Sequence, residues 1–207
     1  MESIFVKVAV LLAMSRRLGA GGTWFGRNVR SMGACIGLGI VFILGTIGVF
    51  FAAHAGAGVG IAALAAWTFV SGLFIGPVVG QFSEEFGWKT VGGIFASTAG
   101  AMAVCGMIGL FSGIDFSFMG TYLMFALFGL IIAGVIGIFV RMSRTTNIIY
   151  HVLGMVIFSG YFIFDFFRLG HTENTWEKAI QMTMSIYLDF LNFFLHALQL
   201  YAATHHK

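Results

Sequence analysis

Apolar segments of about twenty residues recur along this chain with only short polar breaks, and each is long enough to cross roughly 30 Å of hydrocarbon as a helix. Six strong spans fall at about 31–53, 58–81, 90–112, 118–140, 147–167 and 178–201. Inside lipid every backbone amide needs an internal partner, which leaves helices or a closed barrel. Barrel strands alternate apolar and polar residues, whereas these segments run continuously apolar. The expected fold is therefore an all-α polytopic membrane protein, one integral membrane domain over residues 1–207. Composition agrees: 59% of the residues are hydrophobic and 9% charged, against about a quarter charged in soluble domains, and the mean hydropathy is +0.96.

Glycine is abundant at 29 residues, while Pro77 is the single proline. Small residues let membrane helices approach closely, so the stripes Gly93, Ser97, Ala101, Cys105 and Gly129, Ala133, Gly137 are expected helix contacts. Cys35 and Cys105 lie in apolar stretches without partners at metal-site spacing, so they suggest neither a disulfide framework nor a zinc site. The net charge of +3 comes largely from basic residues beside apolar segments, where they act as topology signals, and this argues against a nucleic-acid partner.

The N-terminal stretch is open to three readings. Residues 5–14 are largely apolar, but Arg16 and Arg17 interrupt what would become a seventh span ending near Phe25. It could be a degenerate transmembrane helix, an interfacial amphipathic helix, or a signal peptide, although a cleavage site is expected where the arginines stand. If six spans follow Arg30, then Arg27, Arg30, Arg141, Arg144 and Lys207 share one side, which is expected to be cytoplasmic. The loops near His54, Asp115 and residues 168–178 take the other.

Most charges sit at span ends, and Asp189 in the last span is the exception. A carboxylate at mid-membrane costs about 2.5–3.5 kcal/mol on insertion scales unless water, a proton or a partner relieves it. At helical spacing Gln181, Ser185, Asp189, Asn192, His196 and Gln199 form one polar face, expected to line a hydrated cavity. Asp165 ends the preceding span with Arg168 one turn beyond. Either those two form an interfacial salt bridge, or the hairpin brings Asp165 beside Asp189. In the second case like charge and low dielectric oppose double ionisation, so the pair holds a shared proton. Loss of that proton leaves two repelling carboxylates able to push helices apart or receive a hard cation such as Ca²⁺ through oxygen. Asn174 and Glu177 stand at capping-box spacing, which starts the last helix ahead of its apolar run. His54 and His151 could be haem ligands or proton carriers, but both lie near span ends, where a solvated or hydrogen-bonded imidazole is ordinary; Glu84, Glu85 and Lys89 read as a solvated loop, with Glu84 or Glu85 able to guard a pore mouth. No HExxH, GxSxG or phosphate-binding loop occurs, so no enzyme and no cofactor are expected.

The stretch Ser185-Ile186-Tyr187-Leu188-Asp189-Phe190-Leu191-Asn192-Phe193-Phe194 closely resembles the last-helix signature of the Bax inhibitor-1 (transmembrane Bax inhibitor motif) family. Phe69-Val70-Ser71-Gly72 followed by Pro77, the apolar run from Gly120 through Tyr122 to Ala133, and Ile157-Phe158 leading to Phe164-Asp165 resemble its other helices in order. The resemblance implies seven transmembrane helices with the last one central, counting residues 5–25 as the first. It also implies a Ca²⁺ leak governed by pH, with Asp165 and Asp189 as the proton-sensing pair and transient Ca²⁺ contacts. Some relatives carry basic residues after the second helix that engage the acids; here Phe51-Ala52-Ala53-His54 stands there, so His54 or Arg168 would replace that latch. The expected function is a pH-regulated cation leak channel in a bacterial plasma membrane. Its alternatives are a regulatory or scaffold protein that binds other membrane proteins, and a proton-coupled transporter of a small solute.

Overall fold

The computed structural model describes residues 2–205, so Lys207, part of the charge pattern used for orientation, lies outside them. Seven helices follow one another: α1 (Ile4–Gly26), α2 (Met32–His54), α3 (Ala57–Phe86), α4 (Trp88–Phe111), α5 (Met119–Phe139), α6 (Arg144–Gly170) and α7 (Trp176–His205). Each expected span is one helix, and most helices outrun their apolar core because polar signals, not hydropathy, end them. Ser143 caps α6 by accepting from the Thr146 amide at 3.1 Å. The α3 helix continues to Phe86, where Gly87 at φ +84° turns the chain, a conformation a side chain would resist. Glu84 and Glu85 therefore belong to the end of α3 and not to a loop. The α7 cap is Thr175, whose Oγ1 accepts from Lys178 at 3.2 Å; Asn174, expected to cap, is engaged elsewhere.

Five helices, α2 to α6, are long and apolar enough to cross a membrane by themselves. The last expected span does not reach that standard, because its polar stripe and Glu177 and Lys178 dilute its apolar residues; in α1, Lys7, Arg16 and Arg17 do the same. Yet from residue 179 to 198 every α7 residue is buried or half-buried, and Asp189 on its polar face is buried. Elsewhere the outward surface is apolar: Ile36, Ile40, Ile43, Leu44 and Ile47 of α2 are all more than half exposed. Such a surface is suited to lipid.

The chain divides into two compact units. The first comprises residues up to Trp88 together with 172–187. Here α1 and α3 run parallel, backbone on backbone. A Cβ added at Gly22 would stand 2.1 Å from the Phe69 carbonyl, one at Gly72 2.1 Å from that of Gly19, and one at Gly76 2.7 Å from the Gly26 Cα. Close contact of this kind is the purpose small residues serve between membrane helices. Helix α2 packs on α3 through Trp67, whose indole donates to Thr46 Oγ1 at 3.0 Å while its ring stacks on Phe42. On α7, Tyr187 shares a 2.9 Å hydrogen bond with Ser71 and lies over Gly19. The N-terminal stretch is thus a full helix built into the unit, with Arg16 and Arg17 exposed on its outer side.

The second unit comprises residues 89–171 and 188 onward. Gly109 brings α4 onto α6, since a Cβ there would meet the Ile163 carbonyl at 2.2 Å, and Gly120 seats the Phe164 ring against α5. Gly93 and Gly129, expected to mark contacts, are exposed and have open space where a Cβ would be. Small residues occur on either side of these helices; bulky neighbours such as Phe164 and Phe166 decide which side packs. Helices α6 and α7 run antiparallel: Phe162 meets Phe193, and Arg144 at the start of α6 donates to the Ala203 and Thr204 carbonyls at the end of α7. That last contact satisfies carbonyls a helix end leaves orphaned.

Candidate functional site

The acids lie on those antiparallel helices of the second unit. Asp165 is 1% exposed and Asp189 6%. Asp189 lies in the electrostatic field of both Asp165 and Arg168. Arg168 Nη1 donates to Asp165 Oδ1 at 3.2 Å from a side chain 48% exposed. Asp165 thus makes the salt bridge with Arg168 that the first reading expects, and its charge lies near Asp189. Asp189 Oδ2 is sealed from solvent and has no hydrogen-bond partner among the described residues. A buried oxygen in that state is one that a proton or a cation would satisfy.

The rest of the stripe divides between the units. In the first, Gln181 donates to Glu177 Oε1 at 3.3 Å, and Ser185 is half-buried one turn further along. In the second, Asn192 turns its amide back to the Leu188 carbonyl at 2.9 Å, and His196 Nδ1 lies 3.0 Å from His151 Nδ1. His54 ends α2 with Nδ1 donating to the Phe50 carbonyl at 2.8 Å and Nε2 3.2 Å from Glu177. It clasps the start of α7 within the first unit. Glu84 pairs with Arg30, both well exposed.

Two residues have partners that the sequence reading did not give them. Lys7 sits in the first apolar run yet is 9% exposed; its ammonium donates to Asn174 Oδ1 at 2.9 Å and lies 5.1 Å from the Trp176 ring. Asn174 in turn donates to the Glu2 carbonyl at 2.8 Å. This knot ties the beginning of α1 to the chain before α7, and a lysine inside an apolar run was its only trace in the sequence. The other is His151, whose place near a span end concealed a contact 45 residues away.

Outside the helices, Asp115 helps line a cleft of about 400 Å³ with Gly109, Phe167 and His171. Hydrogen bonds from Ser117, its hydroxyl first and its amide second, hold the Asp115 carboxyl below the usual range. Among the described residues no three metal-binding side chains converge.

Helices of this length and apolarity, with two buried acids on an antiparallel pair, define a polytopic helical membrane protein. The family model described as Inhibitor of apoptosis-promoting Bax1 matches residues 1–205, and the chain belongs to that Bax inhibitor-1 family. A Golgi anti-apoptotic protein of Vaccinia virus (strain Lister) is 37% identical over 93 residues, covering 45% of this chain and 38% of the viral one. A Caulobacter vibrioides protein is 30% identical over 146 residues, 67% of this chain and 57% of its own. Bax inhibitor 1 of Schizosaccharomyces pombe is 28% identical over 134 residues, 65% of this chain and 48% of its own. The chain thus spans less than two thirds of the length of these relatives.

Proposed function

We propose that this membrane protein is a pH-regulated cation leak, with Ca²⁺ as its cargo. The observation that supports the reading is that two carboxyls, Asp165 on α6 and Asp189 on α7, are buried within each other's electrostatic field, and in this reading they hold one proton between them. With that proton in place the helices stay together. Without it, two carboxylates face each other in a low dielectric, and repulsion loosens the α6–α7 contact. Ca²⁺ takes six to eight oxygen ligands, and two carboxylates supply four oxygens at most, which suits transient contact during passage better than storage. Arg168 tempers the charge of Asp165, and Gln181, Ser185, Asn192 and His196 supply polar stations along α7. The role is one of passage and not of catalysis. The membrane is taken to be a bacterial plasma membrane, in keeping with the Caulobacter relative, and the C-terminus cytoplasmic, in keeping with Arg27, Arg30, Arg141 and Arg144.

Flux through Ca²⁺-indicator liposomes tests this. Efflux is expected to rise with pH in the wild type, and Asp165→Asn or Asp189→Asn should flatten that dependence. Unchanged flux and unchanged pH response in both variants remove the mechanism. A second reading, a regulatory protein that binds other membrane proteins without ion flux, draws on the Arg168 contact, which gives Asp165 a purely structural use; co-purifying partners in the absence of flux would favour it.

A further inference from the structure

A second pair of titratable side chains meets between α6 and α7, apart from the acids. His151 Nδ1 and His196 Nδ1 are 3.0 Å apart, with ring centroids separated by 5.2 Å and planes inclined at 59°. The surroundings are shaped to the His196 ring. It lies on Gly154, where an added Cβ would come within 2.4–2.5 Å of three ring atoms, so no other residue leaves the slot open. Phe158 and Tyr150 flank it, at centroid distances of 5.9 and 5.4 Å. Packing alone does not call for this arrangement. Two nitrogens turned toward each other in a partly buried place are costly unless one donates to the other.

We propose that His151 and His196 form a proton-binding dyad that joins α6 to α7 and lets go when both rings are protonated. In the neutral dyad one Nδ1–H donates to the lone pair of the other Nδ1, whose ring keeps its proton on Nε2. One proton taken up from water makes an imidazolium that still donates across the same contact. A second places N–H against N–H, and the contact breaks. The titratable and charged groups near the dyad among the described residues are these. Tyr150 stands beside both rings, with Gly134 of α5 against its hydroxyl. Arg144, two turns nearer the start of α6, is occupied by the Ala203 and Thr204 carbonyls. On α7 itself Asp189 lies on the same face two turns away, about 10 Å along the axis. A metal ion is the less favoured occupant, because two imidazoles fill only half of a four-coordinate shell and no third metal-binding side chain converges there among the described residues.

The dyad does not depend on ion flux, and its test reads protons directly. The full chain, labelled with ¹⁵N-histidine and placed in nanodiscs, is titrated by NMR. Coupled rings are expected, so that His151→Gln moves the His196 midpoint by about one pH unit or more, and His196→Gln moves that of His151 likewise. Gly154→Ala keeps both imidazoles but displaces the His196 ring, and should uncouple them; it serves also if an imidazole variant does not fold. Midpoints indifferent to the partner's replacement and to Gly154→Ala overturn the proposal. So does capture of one Zn²⁺ per chain by chelator-treated protein with both Nδ1 signals displaced, which would make the pair a metal site.

Discussion

Arg168 reaches Asp165 from a half-exposed position, so the value of that contact depends on whether the acid is ionised. At alkaline pH, Arg168→Ala is expected to cost about 1–3 kcal/mol, the usual range for leaving a buried group without its charged partner. The loss should shrink in an Asp165→Asn background. Thermal unfolding of the four-member cycle in detergent measures it, and equal losses in both backgrounds would show that the contact does not couple the two residues. Asp115 poses a simpler question in the open loop after α4. Ser117 holds its carboxyl below the ordinary value, so the loop gains from the ionised form above that ordinary value and loses the gain as pH falls through the lowered one. Replacing Ser117 by alanine removes the hydroxyl but not the amide, and should raise the Asp115 midpoint part of the way in ¹³C carboxyl NMR. A midpoint that stays in place would assign the whole effect to the backbone. The burial of Asp189 was legible in the sequence, since a carboxylate amid apolar residues has few explanations. The value of Lys7 and His151 was not, because each depends on a partner distant in the chain.

At the scale of the helix, α1 and α3 show what the glycines are for. Gly22→Ala or Gly72→Ala drives a methyl into a backbone carbonyl 2.1 Å away, and forcing atoms into a filled interface costs about 1–3 kcal/mol. Gly48→Ala in α2 meets nothing within 4 Å and should stay within about 0.5 kcal/mol of the wild type. Melting temperatures in one detergent compare the three, and equal behaviour would mean the α1–α3 seam is not closely packed in solution. Hydropathy located six of these helices, but not their ends and not the packed glycines. Helix ends follow capping groups such as Ser143 and Thr175, and which glycines matter is settled by the neighbour's shape.

For the whole molecule the question is how often the chain crosses the membrane. Helix α1 runs parallel to α3, and Lys7 binds Asn174 ahead of α7, so Ser3 and Glu173 belong at one end of the first unit and Asn28 at the other. With Cys35 and Cys105 replaced, a membrane-impermeant maleimide should label Ser3→Cys and Glu173→Cys from the same side and Asn28→Cys from the opposite one. Labelling of Ser3→Cys and Asn28→Cys from one side would show that α1 does not cross. The sequence by itself determined that the chain is a polytopic helical membrane protein and that Asp189 needs relief, because both follow from the cost of taking polar groups out of water, a local property of each segment. Tertiary structure decided that α1 is a full member of the fold, that Asp165 is buried against Arg168 with Asp189 in its field, and that His151 meets His196. Those facts depend on helix register and on which face turns toward a neighbour, and register is fixed by the fit of side chains far apart in the chain.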